Sequence, residues 1–422
     1  MNKILVFYFI SIFMLANGSL FTWLFQGTPL NIWRQLIWLI GLMFFIRYIW
    51  ITDFWKLKKI AKSHGIIGYV IFIQALLTYV ICNFNVVRLG YAFWVYFAGL
   101  PFLLLPYLWA ESGRKPQTFY NIFIILGLFL TIGLVIDFVS GGFFTRMFLV
   151  SVVSSSEGML DDGRFCFLSE APTTFGVYYS FCLFCTLYRL YISNSNTVKL
   201  ILLFIALSFI IGAWLTGSRQ IVFALALVFS VSFVYYIGFV KDKKSYVLIG
   251  LVILLLIAPS IQSFLFSEKS YQERYSSESI EEDTRYSSWE RGFKENVENV
   301  EVFLIGKGVA LSQGQKALDT EYVGSHYENT YYSRLSEIGI IGIILLLLPM
   351  IYLIRNWGKT TFFNISLLSF FLSYIFISYV SPNGSYQTTQ MIVYLAWGVY
   401  LKKDFYCVDY SYDSYIYYPY RS

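Results

Sequence analysis

Long apolar runs, each closed by a short polar turn, dominate the chain. Twelve stand out, near residues 4–25, 33–52, 65–82, 91–110, 119–139, 175–192, 199–216, 220–240, 245–266, 337–354, 361–380 and 387–401. A helix that crosses a membrane needs about 20 mostly apolar residues, and the last run is the shortest and most polar of the set. The pattern predicts an all-α fold, a polytopic bundle of about 12 transmembrane helices.

The polar turns alternate in character. Lys56, Lys58, Lys59 and Lys62; Arg114 and Lys115; Arg189 and Lys199; Lys241, Lys243 and Lys244; Arg355 and Lys359; and Lys402 and Lys403 fall in every second loop. Loops rich in Lys and Arg stay in the cytoplasm, so both termini are expected there. Met1-Asn2-Lys3 ahead of the first run and Ala16-Asn17-Gly18-Ser19 at its end have some signal-peptide character. Cleavage would leave eleven spans and destroy the alternation, which favours an uncleaved anchor.

Two outward stretches interrupt the helices, one at about 140–174 and a larger one at 267–336. The expected organisation is therefore 1–266 with nine transmembrane helices, 267–336 as a large periplasmic loop, 337–401 with three more helices, and 402–422 as a Tyr-rich cytoplasmic tail. Within the large loop, Tyr286, Trp289, Phe293 and Val297 recur at three- and four-residue spacing. They predict an amphipathic helix with Thr284 as N-cap, its apolar stripe lying on the outer ends of the membrane helices. No repeat of 20–50 residues is present.

Composition agrees with a membrane setting. Apolar residues are 57% of the 422 and charged residues 13%, with mean hydropathy +0.62; soluble domains run at about 45–50% and 25%. The 41 Phe, 35 Tyr and 11 Trp suit membrane–water interfaces. The net charge of +6 reports topology, because its lysines lie in short loops, and gives no reason to expect nucleic acid. Cys182 and Cys185 form a CxxC inside an apolar run and read as packing. With two histidines in the whole chain, a histidine-rich metal site is excluded. There is no P-loop, dinucleotide fingerprint, GxSxG or DxD pair, which argues against a soluble nucleotide-sugar transferase.

Candidate chemistry lies at the outward ends. Arg219 sits in Leu215-Thr216-Gly217-Ser218-Arg219-Gln220, a turn between two apolar runs with almost no loop. Its guanidinium must lie at the interface, as a snorkelling anchor or as an anion ligand. The other outward cations picked out are Arg88, Arg164, Arg274, Arg285, Arg291 and Arg334, all arginine, whereas the cytoplasmic loops favour lysine. A guanidinium grips phosphate through two parallel bonds, which an ammonium cannot do. The large loop itself is net acidic, with thirteen Asp and Glu against eight Lys and Arg over 267–336. The case therefore rests on where a few arginines are placed. A second polar focus, Ser325-His326-Tyr327-Glu328-Asn329-Thr330, holds two candidate general bases, His326 and Glu328. It reads equally as an ordinary polar lead into a helix.

These segments resemble, in order, those of the O-antigen polymerase and ligase superfamily, Wzy-type polymerases included. Thr216-Gly217-Ser218-Arg219 is similar to the family's G-S-R turn, and Arg285 with Trp289 to its R…W helix. Leu304-Ile305-Gly306-Lys307-Gly308 is similar to its G-x-G. Glu328-Asn329-Thr330-Tyr331-Tyr332 with Glu337-Ile338-Gly339-Ile340-Ile341-Gly342 is similar to its HNxxL…ExGxxG entry to the next helix. Arg164 through Phe167-Leu168-Ser169-Glu170-Ala171-Pro172 is similar to the segment before the sixth helix. Glu328 stands where the family usually has His, and His326 lies two residues upstream. Which of the two acts as base stays open, and the departure favours polymerase over ligase.

The resemblance covers about 160–345 and implies an inverting, metal-independent glycosyl transfer needing no cofactor. Its substrates would be undecaprenyl-pyrophosphate-linked glycans at the periplasmic face of a bacterial inner membrane, within membrane lipid. It implies Arg219 and Arg285 on pyrophosphate, Arg164 on donor or glycan, Arg291 and Arg334 as further substrate ligands, and Glu328 or His326 by the acceptor hydroxyl. A chain-length regulator protein is admitted as a partner. The alternatives are an O-antigen ligase acting on lipid A-core, a polysaccharide transporter, and a non-catalytic scaffold. Transporters favour internal repeats and mid-membrane charges, which this chain lacks.

Overall fold

The computed structural model describes residues 2–51, 66, 68–70, 72–73, 93–94, 96–148, 160, 163–239, 285–307, 329–355, 361–381, 387–402 and 405, with the backbone alone at 236–239 and 285. Every regular element among them is helical. In chain order these are α1 (Asn2–Ala16), α2 (Gly18–Phe25), α3 (Trp33–Ile51), α4 (Leu105–Glu111), α5 (Pro116–Val139), α6 (Phe143–Phe148), α7 (Pro172–Ile192), α8 (Asn196–Leu215), α9 (Arg219–Phe239), α10 (Arg285–Asn296), α11 (Val300–Ile305), α12 (Thr330–Ile338), α13 (Ile340–Arg355), α14 (Phe362–Val380) and α15 (Gln387–Leu401).

Five helical segments are long and apolar enough to cross a membrane: Pro29–Ile51, α5, α7, α8 and α14. A sixth arises if α1 and α2 count as one broken span. Leu100–Glu111, Arg219–Tyr235 and α13 are apolar but shorter. Most of the expected run 65–82 and all of 245–266 lie outside the described residues. Apolar side chains also cover the exterior: Trp50 is 89% exposed, Val139 78% and Phe223 63%. Exposed apolar surface of this extent belongs in lipid, and the chain has the helices of a membrane protein.

The bundle is built around α7. From Thr174 to Tyr188 its side chains are buried on every side, as expected of a helix apolar all round. It packs on α5, α8, α9, α14 and α15. Cys182 and Cys185 are both buried there, the Cys182 thiol 3.2 Å from the Phe123 carbonyl oxygen. Alongside, α9 and α14 run antiparallel, since Phe223 meets Phe376 while Ser232 lies 3.3 Å from Ser369 and Tyr235 meets Phe362.

Two expectations change. The first run is not a straight span: the chain turns by 91° between α1 and α2. Asn17 donates its amide to the Phe13 carbonyl, and the Ser19 N–H leaves the helix to donate to Leu168 O. Gly18 permits the bend because a Cβ there would overlap the Glu170 carboxyl. The loop helix α10 forms as expected, but its buried face is Ser288, Gly292 and Asn296, turned toward α12, while Tyr286 and Phe293 stay exposed. Only Trp289 of the aromatic stripe reaches a membrane helix, 5.0 Å from the Tyr379 ring of α14. Small side chains admit a closer helix approach than the aromatic stripe would.

Candidate functional site

The site begins with a buried carboxylate. Asp137, on the last turn of α5, is fully enclosed. It accepts from the N–H groups of Phe144 (2.7 Å) and Thr145 (3.1 Å), from the Thr145 hydroxyl, and from Phe167 N–H at 3.1 Å. Thr145 Oγ1 in turn accepts from Cys166 N–H at 2.8 Å. One side chain thus ties the start of α6 to the strip 163–170. Phe167 in that strip has φ +49, a left-handed conformation that costs a non-glycine residue about 1–3 kcal/mol and persists where surroundings hold it, often at functional sites.

Both ends of the strip are gripped. At 163–164, the turn between α8 and α9 lies directly upon it. Gly217 has φ +63, and a Cβ there would overlap the Gly163 carbonyl oxygen, 3.0 Å from its carbon and 3.3 Å from Arg164 Cα. This contact brings the backbones carrying Arg164 and Arg219 together, with both side chains half-buried. Arg219 is also the first residue of α9, where the helix dipole is positive and a cation is disfavoured by about 0.3–1 kcal/mol unless an anion is present. At 168–170, Ser19 Oγ donates to Ser169 O at 2.9 Å, and Glu170 pairs with Arg34 of α3. Arg34 donates to Thr22 Oγ1 at 2.8 Å and lies 5.0 Å over its neighbour Trp33.

The loop helices close over the same end. Tyr379, one turn beyond the Phe223–Phe376 contact, carries Trp289 of α10 on one side and Tyr331 of α12 on the other. Asn329 caps α12, accepting from the N–H groups of Tyr331 (2.8 Å) and Tyr332 (3.2 Å), and Thr330 donates to Ser381 O at 2.9 Å. The two glycine motifs lock together. A Cβ on Gly306 would lie 2.7 Å from Ile338 N, and one on Gly339 would lie 2.8 Å from Ile305 N. Lys307 N–H donates to Ser336 O at 2.6 Å across this contact.

Arg334 lies inside the protein. It is 2% exposed, 3.4 Å from Glu337 and 4.0 Å over the Tyr96 ring, and the Tyr96 hydroxyl donates to Glu337. A cavity of about 30 Å³ adjoins it, walled by Tyr374, Gln390, Tyr394 and Pro349. That volume admits one or two waters, and no sugar.

Of the residues singled out from sequence, Arg164 and Arg219 are brought together. Arg291 lies exposed on α10, at the end of the bundle where Trp289 meets Tyr379. Arg285 begins α10, and Arg334 is enclosed with Glu337. His326 and Glu328 lie outside the described residues, as do Arg88 and Arg274. Among the described residues, no three His, Cys, Asp or Glu side chains gather to hold a metal. The structure adds Arg34, Glu170, Asp137 and Tyr96. Asp137 had a signal: it is the one acid in the run Gly133–Val139. Arg34 had the same signal as Arg219, a guanidinium at the head of an apolar run. Glu170 stood in the segment that resembles the one before the family's sixth helix, with no role given to it, and Tyr96 had no signal until its partner was known.

Compared with protein-family models and with curated proteins, the chain matches none.

Proposed function

We propose that the chain is a polysaccharide polymerase, joining undecaprenyl-pyrophosphate-linked repeat units into O-antigen or capsular glycan. In this reading it has about 12 spans, both termini in the cytoplasm of a bacterial cell, and 267–336 at the periplasmic face of the inner membrane. The observation that carries it is the Gly217–Gly163 contact, which joins two arginines at one end of the bundle on elements far apart in sequence. In support, Arg114, Lys115, Arg189, Lys199 and Lys402 lie at the opposite end, where the positive-inside rule puts the cytoplasm. The resemblance of four segments in the family's order, two of them locked glycine to glycine, and of a fifth at 164–172 supports the same reading.

The chemistry follows from the charges. A hydroxyl of the newest repeat unit attacks the anomeric carbon of the growing chain, and the bond to pyrophosphate breaks with its electron pair leaving on phosphate. Negative charge therefore grows on the leaving pyrophosphate, which this reading seats at the end of the bundle where the backbones carrying Arg164 and Arg219 meet and α9 begins; cations there lower the barrier more than they tighten ground-state binding. The test is a deletion strain whose surface glycan is resolved on a gel. Loss of the ladder with a core-plus-one band retained is expected. Loss of the core-plus-one band as well would replace polymerisation with ligation or export.

A further inference from the structure

We infer that Glu170 is the general base of the transfer and that Arg34 is its positioning residue, an inference that rests on the polymerase reading. The carboxylates described at this end of the bundle differ sharply in what they can still accept. Asp137 is fully buried, with its oxygens taken by three N–H groups and a hydroxyl. Glu337 is 2% exposed and enclosed by Arg334 and Tyr96. Glu290 and Glu295, on the outer helix α10, pair with Lys294 and Lys307, and Glu298 and Glu301 lie exposed just after α10 and on α11, apart from the strip 163–170. Glu170 is different: its side chain keeps 23% of its surface open, and it belongs to the strip that carries Arg164.

The strip is built to hold this group in place. The left-handed Phe167 and the Ser169 N–H to Cys166 O bond (2.9 Å) fold the chain between Arg164 and Glu170, and Asp137 pins that fold. Beyond it, Gly18 gives up a side chain to let the Glu170 carboxyl in, and the bend between α1 and α2 exists around that contact. Arg34 has its own anchors, Thr22 and Trp33, and its backbone carbonyl accepts from Gln387 at 3.1 Å. A base held by an oriented partner is the arrangement general-base catalysis requires. Burial pushes the Glu170 carboxyl up, and the charge and hydrogen bond of Arg34 oppose this without cancelling it. Held upward by burial, the ionised carboxylate is a stronger base than an exposed one.

In the step itself the acceptor O–H proton passes to the Glu170 carboxylate as the new C–O bond forms. The bond from the anomeric carbon to the pyrophosphate oxygen breaks, and the pyrophosphate leaves as an anion beside Arg164 and Arg219. Glu170 then returns its proton to water. No oxidant, reductant or further reactant enters the balance.

The test uses purified full-length chain in proteoliposomes, with lipid-linked repeat units extracted from the deletion strain. Glu170→Gln is expected to lower kcat about a hundredfold or more, in the range for loss of a general base, with KM near wild type. The wild-type rate should fall on the acid side as Glu170 protonates, and this acid limb should vanish in Glu170→Gln. Arg34→Lys should lower kcat and move the acid limb while KM holds. Wild-type kcat with an unchanged acid limb in Glu170→Gln overturns the assignment and leaves the polymerase reading intact, whereas an inactive wild-type chain overturns the reading itself. If the glutamine variant does not fold, Glu170→Asp decides: a slower rate with a displaced acid limb supports the assignment, and the wild-type profile overturns it.

Discussion

Gly217→Ala isolates the contact on which the candidate site depends. Two costs are readable from the geometry. At φ +63 an alanine pays the left-handed penalty of about 1–2 kcal/mol. Its Cβ also overlaps the Gly163 carbonyl, and relieving that clash against packed backbone costs about 1–3 kcal/mol more. Gly113 is the matched control, with φ +71 and no atom within 4 Å of where an alanine methyl would lie, so Gly113→Ala pays only the first cost. Denaturant titration of the purified chain in mixed micelles should rank Gly217→Ala below Gly113→Ala by about 1–3 kcal/mol. In a complemented deletion strain, Gly217→Ala should also shorten the glycan ladder, because the displaced backbone carries Arg164, while Gly113→Ala leaves it normal. Equal destabilisation and two normal ladders would refute the claim that this contact builds the site.

Two further outcomes test the scaffold. Asp137→Asn should cost about 2–4 kcal/mol in the same titration, because an amide NH₂ set against the Phe167 or Thr145 donor forfeits one or two bonds to a charged acceptor at about 1.5–3 kcal/mol each; wild-type stability would remove Asp137 as the tie. Gly292→Leu should cost about 1–3 kcal/mol by forcing α10 off α12, whereas Phe293→Ser, at 46% exposure, should stay within about 0.5 kcal/mol. The reverse order would restore the aromatic stripe as the packed face.

The membrane helices were legible in the sequence because their signal is a long run of one kind of residue. α5, α7, α8 and α14 fall within a few residues of the runs that predicted them. The polar Asn17-Gly18-Ser19 inside the first run marked where the bend falls, but not its angle, which depends on the fit of Gly18 against Glu170, 152 positions away. Periodicity likewise located α10 and misjudged its face, since a 3.6-residue pattern counts apolarity, whereas the buried residues here are Ser288, Gly292 and Asn296. Arg219 was legible as a cation with nowhere to go but an interface. That Arg164 shares its site depends on a glycine–carbonyl contact that no local pattern encodes. Arg334 shows the opposite failure: it read as one more outward arginine, and its position with Glu337 and Tyr96 inside the bundle depends on residues 241 apart in sequence.

The most direct measurement of the central claim is the chain-length distribution made by Arg219→Lys and Arg219→Ala in a complemented deletion strain, with membrane protein quantified alongside. An anchor at the interface would tolerate lysine, because both side chains snorkel. A guanidinium gripping pyrophosphate would not, since lysine keeps the charge but loses the second parallel bond. The account predicts that lysine lowers polymerisation by about ten- to a hundredfold, on the order of 1.4–3 kcal/mol. Alanine should lower it further at normal protein level. Wild-type ladders from both variants would contradict it.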